Sequence, residues 1–224
     1  FNVGVIHEAL VKVAFDGRAL AIETSSPVDK KKIADYFGLN EDLPYIYKEI
    51  GKDPNIRKAI KKFHGLRILN QDSWECLASF ILSSYTNIPR IKKMIAGLSK
   101  RFGKRLALDN IEAYSFPSAE KLAAADIRLL KGLGLGFRAA YIKDTAQNIA
   151  SKKFDLDELE DLNYDEAKKR LLSLKGVGDK VADCVLLFSL KKYEAFPVDV
   201  WIKRGVERLY FGGKITAPRK AAEF

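Results

Sequence analysis

Within a dozen residues, Ser173 to Cys184 (SLKGVGDKVADC), the chain sets two glycines two apart, then a lysine, then an apolar run at helical spacing. A turn this short between two helix-period segments predicts a helix-hairpin-helix, with its second helix starting near Asp179. The glycines permit backbone angles that other residues resist, and they let another molecule approach the main chain closely. The unpaired N–H groups and positive dipole end of the second helix then face the same way as the turn, which makes a site for a phosphate oxygen at Gly176, Val177 and Gly178. The alternative is a plain helix corner whose glycines only allow tight packing. LLKGLGLGFRAAYI, from Leu129, repeats the Leu-Lys-Gly-apolar-Gly pattern 44 residues earlier but carries Gly136 where Lys180 stands. Lys180 is therefore not needed for the turn itself.

Charge points the same way. Lys and Arg outnumber acids 39 to 29 among 224 residues, for a net charge of +10 and a pI near 9.4, which favours a polyanionic partner. Nucleic acid is the first candidate and an acidic membrane surface the second. Cys76 and Cys184 are too few for a disulfide framework, a cysteine metal site or a four-cysteine iron–sulfur cluster. His7 and His64 have no partners at metal-ligand spacing. The expectation is thus no metal and no cofactor. No apolar run reaches the ~18 residues of a membrane span, so an intracellular protein is expected; it is DNA-associated if nucleic acid is the partner, and a monomer on grounds of economy.

Apolar and polar residues alternate on both sides of Asp16-Gly17, which predicts a two-residue hairpin turn and strands over residues 1–27. A lone hairpin is marginally stable, and the chain opens on Phe1, so further strands are expected upstream of a truncated antiparallel β layer. From residue 28 to 224 the period is helical, with starts at Asp53-Pro54, Asp72, Pro89, Ser118 and Asn163. The expected fold is mainly α with a small N-terminal antiparallel β layer. Two helical lobes flank a cleft, and the helix-hairpin-helix occupies residues 164–190.

Lys180 falls in the first turn of a helix, where a cation is disfavoured, beside a site suited to a polyanion. A partly desolvated lysine there can supply an amine nucleophile. Cys184 lies one turn later on the same face. Asp199, in AFPVDVWIKRG, follows a proline at the apparent start of another helix. It is either a helix N-cap or a carboxylate brought to Lys180, and the two roles are compatible. An amine and a carboxylate suit attack at a sugar carbon, the carboxylate stabilising oxocarbenium-like charge.

LKGVGDKVADCVLLF followed by FPVDVW resembles the helix-hairpin-helix, Gly/Pro-rich, aspartate superfamily of DNA base-excision glycosylases, and within it the bifunctional 8-oxoguanine glycosylase branch. QDSWECLASFILSSYTNIPRIKKMI and LGLGFRAAYI support this in the right order, over about residues 60–210. The resemblance implies that Lys180 forms a Schiff base with the deoxyribose and cuts 3′ of the lesion by β-elimination, assisted by Asp199. It further implies that Cys184, with Phe188, lines the pocket of a flipped base. Phe137 and Arg138 match residues that enter the duplex where the base left, as a wedge with a cation behind it; ordinary core is the alternative for Phe137. Arg90 matches an arginine on the orphaned partner base, with Asn87 in the same segment; a solvated surface arginine is the alternative.

Trp201, where relatives often have a histidine, either reaches a phosphate or packs. Trp74, Cys76 and Phe80 read as core. The segment Tyr85-Thr86-Asn87 departs from the family's run of asparagines. A Gly-Gln-x-Phe-Arg-Trp stretch and a C-terminal aromatic, both common in relatives, are not found in the sequence, Phe1 being a candidate remnant of the first. The implied partner is double-stranded DNA containing an oxidised purine. The competing readings are a glycosylase for another lesion such as alkylated purine, which usually lacks the hairpin lysine, and a non-catalytic helix-hairpin-helix DNA-binding module.

Overall fold

A computed structural model describes residues 1–214. The chain opens with a three-stranded antiparallel sheet in the order β1 (Asn2–Ile6), β2 (Ala9–Phe15), β3 (Leu20–Thr24). The β1–β2 turn is the tight one. Ile6 pairs with Ala9, and His7 and Glu8 both take left-handed backbone angles without a glycine. At Asp16-Gly17 the expected two-residue turn is instead a four-residue loop, because Phe15 pairs with Leu20. Asp16 explains the widening: its Oδ1 accepts from the N–H groups of both Arg18 and Ala19, at 2.8 Å each. Ile6, Ala9 and Val11 form a small core of their own, against Val28, Tyr36 and Phe37.

Helices follow: α1 (Lys30–Tyr36), α2 (Leu43–Ile50), α3 (Pro54–Lys62), α4 (Ser73–Leu82) and α5 (Ile88–Phe102). The side chains of Asp29, Asp42, Asp53, Asp72 and Asn87 each cap one of these, accepting from a backbone N–H in the first turn. A two-stranded hairpin, β4 (Arg105–Leu108) and β5 (Ile111–Tyr114), comes next, its turn at Asp109-Asn110. Sequence reading missed both this hairpin and α2. The hairpin lies against the first sheet, and Lys12 reaches Asp109 at 3.3 Å.

The stretch from Ser118, read as one helical run, is broken at Ala125-Asp126 into α6 (Ala119–Ala124) and α7 (Ile127–Leu130). Asp126 restarts the chain by accepting from Arg128 N–H at 2.7 Å. The segment Lys131–Leu135, kinked at Gly134 where φ is +89°, leads to α8 (Arg138–Ala150). The remaining helices are α9 (Glu158–Asp161), α10 (Tyr164–Leu172), α11 (Asp179–Phe188) and α12 (Val200–Tyr210). One large apolar core joins α4, α5, α8, α10 and α11 through Leu77, Ile81, Leu98, Ile142, Leu171 and Val185. Burial on this scale is what holds the elements that carry the site. Residues 215–224 of the expected helical body lie outside the described residues.

Candidate active site

The hairpin between α10 and α11 is built as its residues require. Gly176 has φ +84°, and a Cβ there would fall 2.5 Å from the Tyr141 ring on α8, so both angle and space exclude a side chain. Gly178 is different. Its backbone is extended, it caps α11 with no side chain, and nothing lies within 4 Å of where a Cβ would be. The start of α11 is therefore open to an approaching group. Val177 turns inward and is buried. The earlier Leu-Lys-Gly-Leu-Gly copy repeats the letters without the shape: Gly134 and Gly136 take positive φ there, whereas Gly132, the counterpart of Gly176, does not.

Behind the turn, Asp183 on α11 is buried and fully engaged. Tyr164 Oη donates to it at 2.9 Å and Lys168 Nζ reaches it at 2.9 Å, tying α10 to α11. Burial works against the Lys168 charge, but the bonds to Tyr164 and Asp183 outweigh it and push its pKa up to about 12.

Lys180 extends from the first turn of α11 towards α4. Its Nζ donates to Ser83 Oγ at 3.3 Å and lies 4.8 Å from the centroid of Phe80. Phe80 in turn stacks on Phe188, with centroids 5.7 Å apart and planes 13° from parallel. Phe80 is thus part of the site rather than plain core. Cys184 is only 2 % exposed. Burial raises its thiol to about 11, the charge of Lys180 and a bond from it act in the opposite direction, and the carboxylates of Asp183 and Asp199 raise it further. Lys180, Cys184 and Asp199 therefore share one electrostatic neighbourhood. Asp199 caps α12: its Oδ1 accepts from Trp201 and Ile202 N–H, both at 2.8 Å. Both bonds fall on the same oxygen.

Around this centre stand the other expected residues. Trp201 is 74 % exposed, with the Arg204 guanidinium 5.4 Å from its ring. Phe137 is 52 % exposed, which rules out the core alternative. Arg138 departs from expectation. It is 3 % exposed, its guanidinium lying 4.4 Å from the centroid of Phe137 and donating to the Ser84 and Tyr85 carbonyls, so it backs the Phe137 ring from inside and does not itself project to enter a duplex. Asn87 is likewise committed, its side-chain oxygen accepting from Arg90 N–H at 3.0 Å to cap α5. Arg90 itself is exposed, its Nη2 3.5 Å from Gly134 O.

Sequence reading missed Phe80 and Ser83 as parts of this region. Ser83 stands 97 positions from Lys180, and no spacing rule joins them. Among the described residues, no group of three or more His, Cys, Asp or Glu could hold a metal ion, and no helix is long and apolar enough to cross a membrane.

Residues 78–224 match the model of the HhH-GPD superfamily base excision DNA repair proteins. The chain belongs to that superfamily. Residues 3–77 match the N-terminal domain of 8-oxoguanine DNA glycosylase. Among curated relatives, the chain is 32 % identical over 203 residues to a probable N-glycosylase/DNA lyase of Methanothermobacter thermautotrophicus, covering 82 % of this chain and 64 % of that protein. It is 35 % identical over 193 residues to the N-glycosylase/DNA lyase of Saccharomyces cerevisiae, covering 81 % of this chain and 51 % of that one. The chain thus spans between half and two thirds of the length of these relatives.

Two solved structures superpose over 99 % of the chain and 77 % of their own. MBOgg1 in complex with a low-affinity DNA ligand has a TM-score of 0.94 at 39 % identity. The Clostridium acetobutylicum 8-oxoguanine glycosylase/lyase, in complex with double-stranded DNA containing cytosine opposite 8-oxoguanine, has a TM-score of 0.92 at 35 % identity. The mainly helical HhH-GPD fold with its small N-terminal sheet is the fold of these proteins.

Proposed function

We propose that the chain is the core of a bifunctional DNA glycosylase/AP lyase that removes 8-oxoguanine from duplex DNA. The observation that carries this is the placement of Lys180 in the first turn of α11, its Nζ 3.3 Å from Ser83 Oγ and 4.8 Å from the Phe80 ring that stacks on Phe188, beside an α11 start with no side-chain cap. The open hairpin binds a DNA phosphate through the main chain, and the net charge of +10 supplies the sequence-independent attraction. The damaged nucleotide leaves the stack and enters the space beside Phe188 and Cys184, while Phe137 fills the gap in the duplex.

The Lys180 amine attacks C1′, forming a C–N bond as the glycosidic bond breaks, and its electron pair leaves with the base. Asp199 stabilises the positive charge that develops on the sugar through the carboxylate oxygen left free by capping. The proton lost from the new ammonium passes to the departing base, and cleavage of the C1′–O4′ bond, with O4′ taking a proton from water, leaves a protonated imine on Lys180. Removal of a C2′ proton then expels the 3′ phosphate, and water releases the enzyme. Trp201, exposed beside Arg204, is assigned to a contact with the DNA backbone.

The test is a duplex with one 8-oxoguanine, incubated with and without sodium borohydride, for the wild type and Lys180→Gln. A covalent protein–DNA band from the wild type that vanishes in the variant is expected. Base release without a band would instead mean a glycosylase in which Asp199 activates water. Salt-sensitive binding with neither band nor release would mean a binding module.

A further inference from the structure

We infer that Asp35 is a positioning residue for the reaction: its carboxylate clamps the entry to α4 against the exit from α11, and so keeps the two helices in the register that sets Lys180 beside Phe80. The inference rests on the glycosylase reading above. Asp35 lies on α1, and each of its oxygens is taken by a different segment. Oδ2 accepts from Asn70 Nδ2 at 2.7 Å, just before α4 begins, and Oδ1 accepts from Lys191 Nζ, just past the end of α11. The Lys191 bond first, and the Asn70 bond after it, hold the carboxyl below the usual carboxylate range against the effect of burial. It is therefore charged at neutral pH.

Two main-chain bonds run beside the clamp. Asn70 N–H donates to Tyr36 O at 2.8 Å and Gln71 N–H donates to Phe188 O at 2.7 Å, so the chain leading into α4 is tied to α1 and to the end of α11 at once. Phe188 is also the ring that stacks on Phe80. Lys191 takes φ +52°, an angle uncommon for a residue with a side chain and kept where the surroundings fix it. Further along the connector to Asp199, Tyr193 Oη donates to Glu41 Oε1 at 2.8 Å, a second tie to the N-terminal segment.

The clamp adds little to stability. The side chains of Lys191 and Asp35 are 44 % and 40 % exposed, and an ion pair so open to water is weak. Its use is geometric. The contacts of Lys180 with Ser83 and Phe80, and of Phe80 with Phe188, all cross between α11 and α4, so a slip of one helix along the other moves the amine away from its target. A displacement of about 1 Å can cost up to about 10²-fold in rate.

The experiment traps the wild type, Asp35→Ala, Lys191→Met and the double variant with borohydride on a duplex carrying a preformed abasic site, so no lesion has to be excised. Rates at saturating DNA, affinities for an uncleavable tetrahydrofuran duplex and melting points are measured on the same proteins. Asp35→Ala is expected to trap about 10-fold more slowly, with affinity within about twofold and melting point within about 4 °C of the wild type. Lys191→Met should show part of that loss, and the double variant no more than Asp35→Ala, because the alanine already removes both bonds. The inference is overturned by Asp35→Ala trapping within about twofold of the wild type, by a loss matched in affinity or accompanied by a melting point more than about 8 °C lower, or by a double variant clearly slower than Asp35→Ala. No band from the wild type would overturn the glycosylase reading itself, and the inference with it.

Discussion

The ammonium of Lys180 lies 4.8 Å from the centroid of the Phe80 ring, although the two residues belong to different helices, α11 and α4. That ring is shared with Phe188, so a single side chain both locates the proposed nucleophile and walls the proposed base pocket. A nucleophile displaced by about 1 Å can cost up to about 10²-fold, so Phe80→Leu, which removes the ring that locates the Lys180 side chain, should slow borohydride trapping at saturating DNA by up to about that factor. Affinity for an abasic duplex should stay within about twofold of the wild type, and Phe80→Tyr should restore the trapping rate. A change in affinity with trapping untouched would place Phe80 in DNA binding instead.

Asp199 permits its two roles to be separated, because asparagine caps a helix about as well as aspartate but carries no charge. Asp199→Asn is expected to keep the melting temperature while lowering single-turnover excision by about 10²- to 10⁴-fold. Asp199→Ala should lose about 0.5–2 kcal/mol of stability as well, since Trp201 and Ile202 N–H groups lose their acceptor. Equal activity of Asp199→Asn and the wild type would reduce Asp199 to a cap.

The two hairpin glycines should behave oppositely. At Gly176 an alanine meets both φ +84° and the Tyr141 ring, and the backbone angle alone costs about 1–2 kcal/mol. Gly176→Ala is expected to melt about 2–8 °C lower. Gly178→Ala has ordinary angles and open space, so its melting point should hold while DNA affinity falls, because the added methyl stands where a phosphate would approach. Melting curves and salt-dependent binding on the two proteins decide the matter.

Glu75, in the first turn of α4, has its carboxyl raised to about 7, first by burial and second by the charge of Asp72. The folded protein therefore holds a proton that the unfolded chain has released between about pH 4.5 and 7, and stability from this group falls as pH rises through that window. Above it the full cost is present. Glu75→Gln should consequently stabilise the protein by about 1–3 kcal/mol at pH 8 and by nothing measurable at pH 4. Urea melts at the two pH values check this; an equal gain at both would point to packing rather than ionisation.

Much of the site was legible in one dimension because its signals are local. The Gly176-Val177-Gly178 turn, the start of α11 at Asp179 and the Asp199 cap each depend on residues within a few positions, which is the range over which backbone angles and capping bonds act. Local signals also misled. The Asp16-Gly17 pair opened a wider loop, because one aspartate oxygen took two N–H groups, and the tight turn formed at His7-Glu8 without a glycine. The β4–β5 hairpin was overlooked in a stretch of only ten residues, where a short alternation is weak beside the surrounding helical period.

The sequence alone determined the chemical inventory and its first geometry: a basic chain, a glycine turn that opens a helix start, a lysine one turn from a cysteine, and a carboxylate at the head of the next helix. Only the tertiary structure decided which side chains face that inventory. Packing α11 on α4 set Phe80 and Ser83 against Lys180, and seating the start of α8 beneath the α4–α5 loop turned Arg138 inward, leaving Tyr85 and Phe137 outside. The reason is physical. Burying the apolar faces of helices far apart in sequence fixes their relative placement, and the direction of each polar side chain at the edge then follows from which carbonyls are left for it to satisfy.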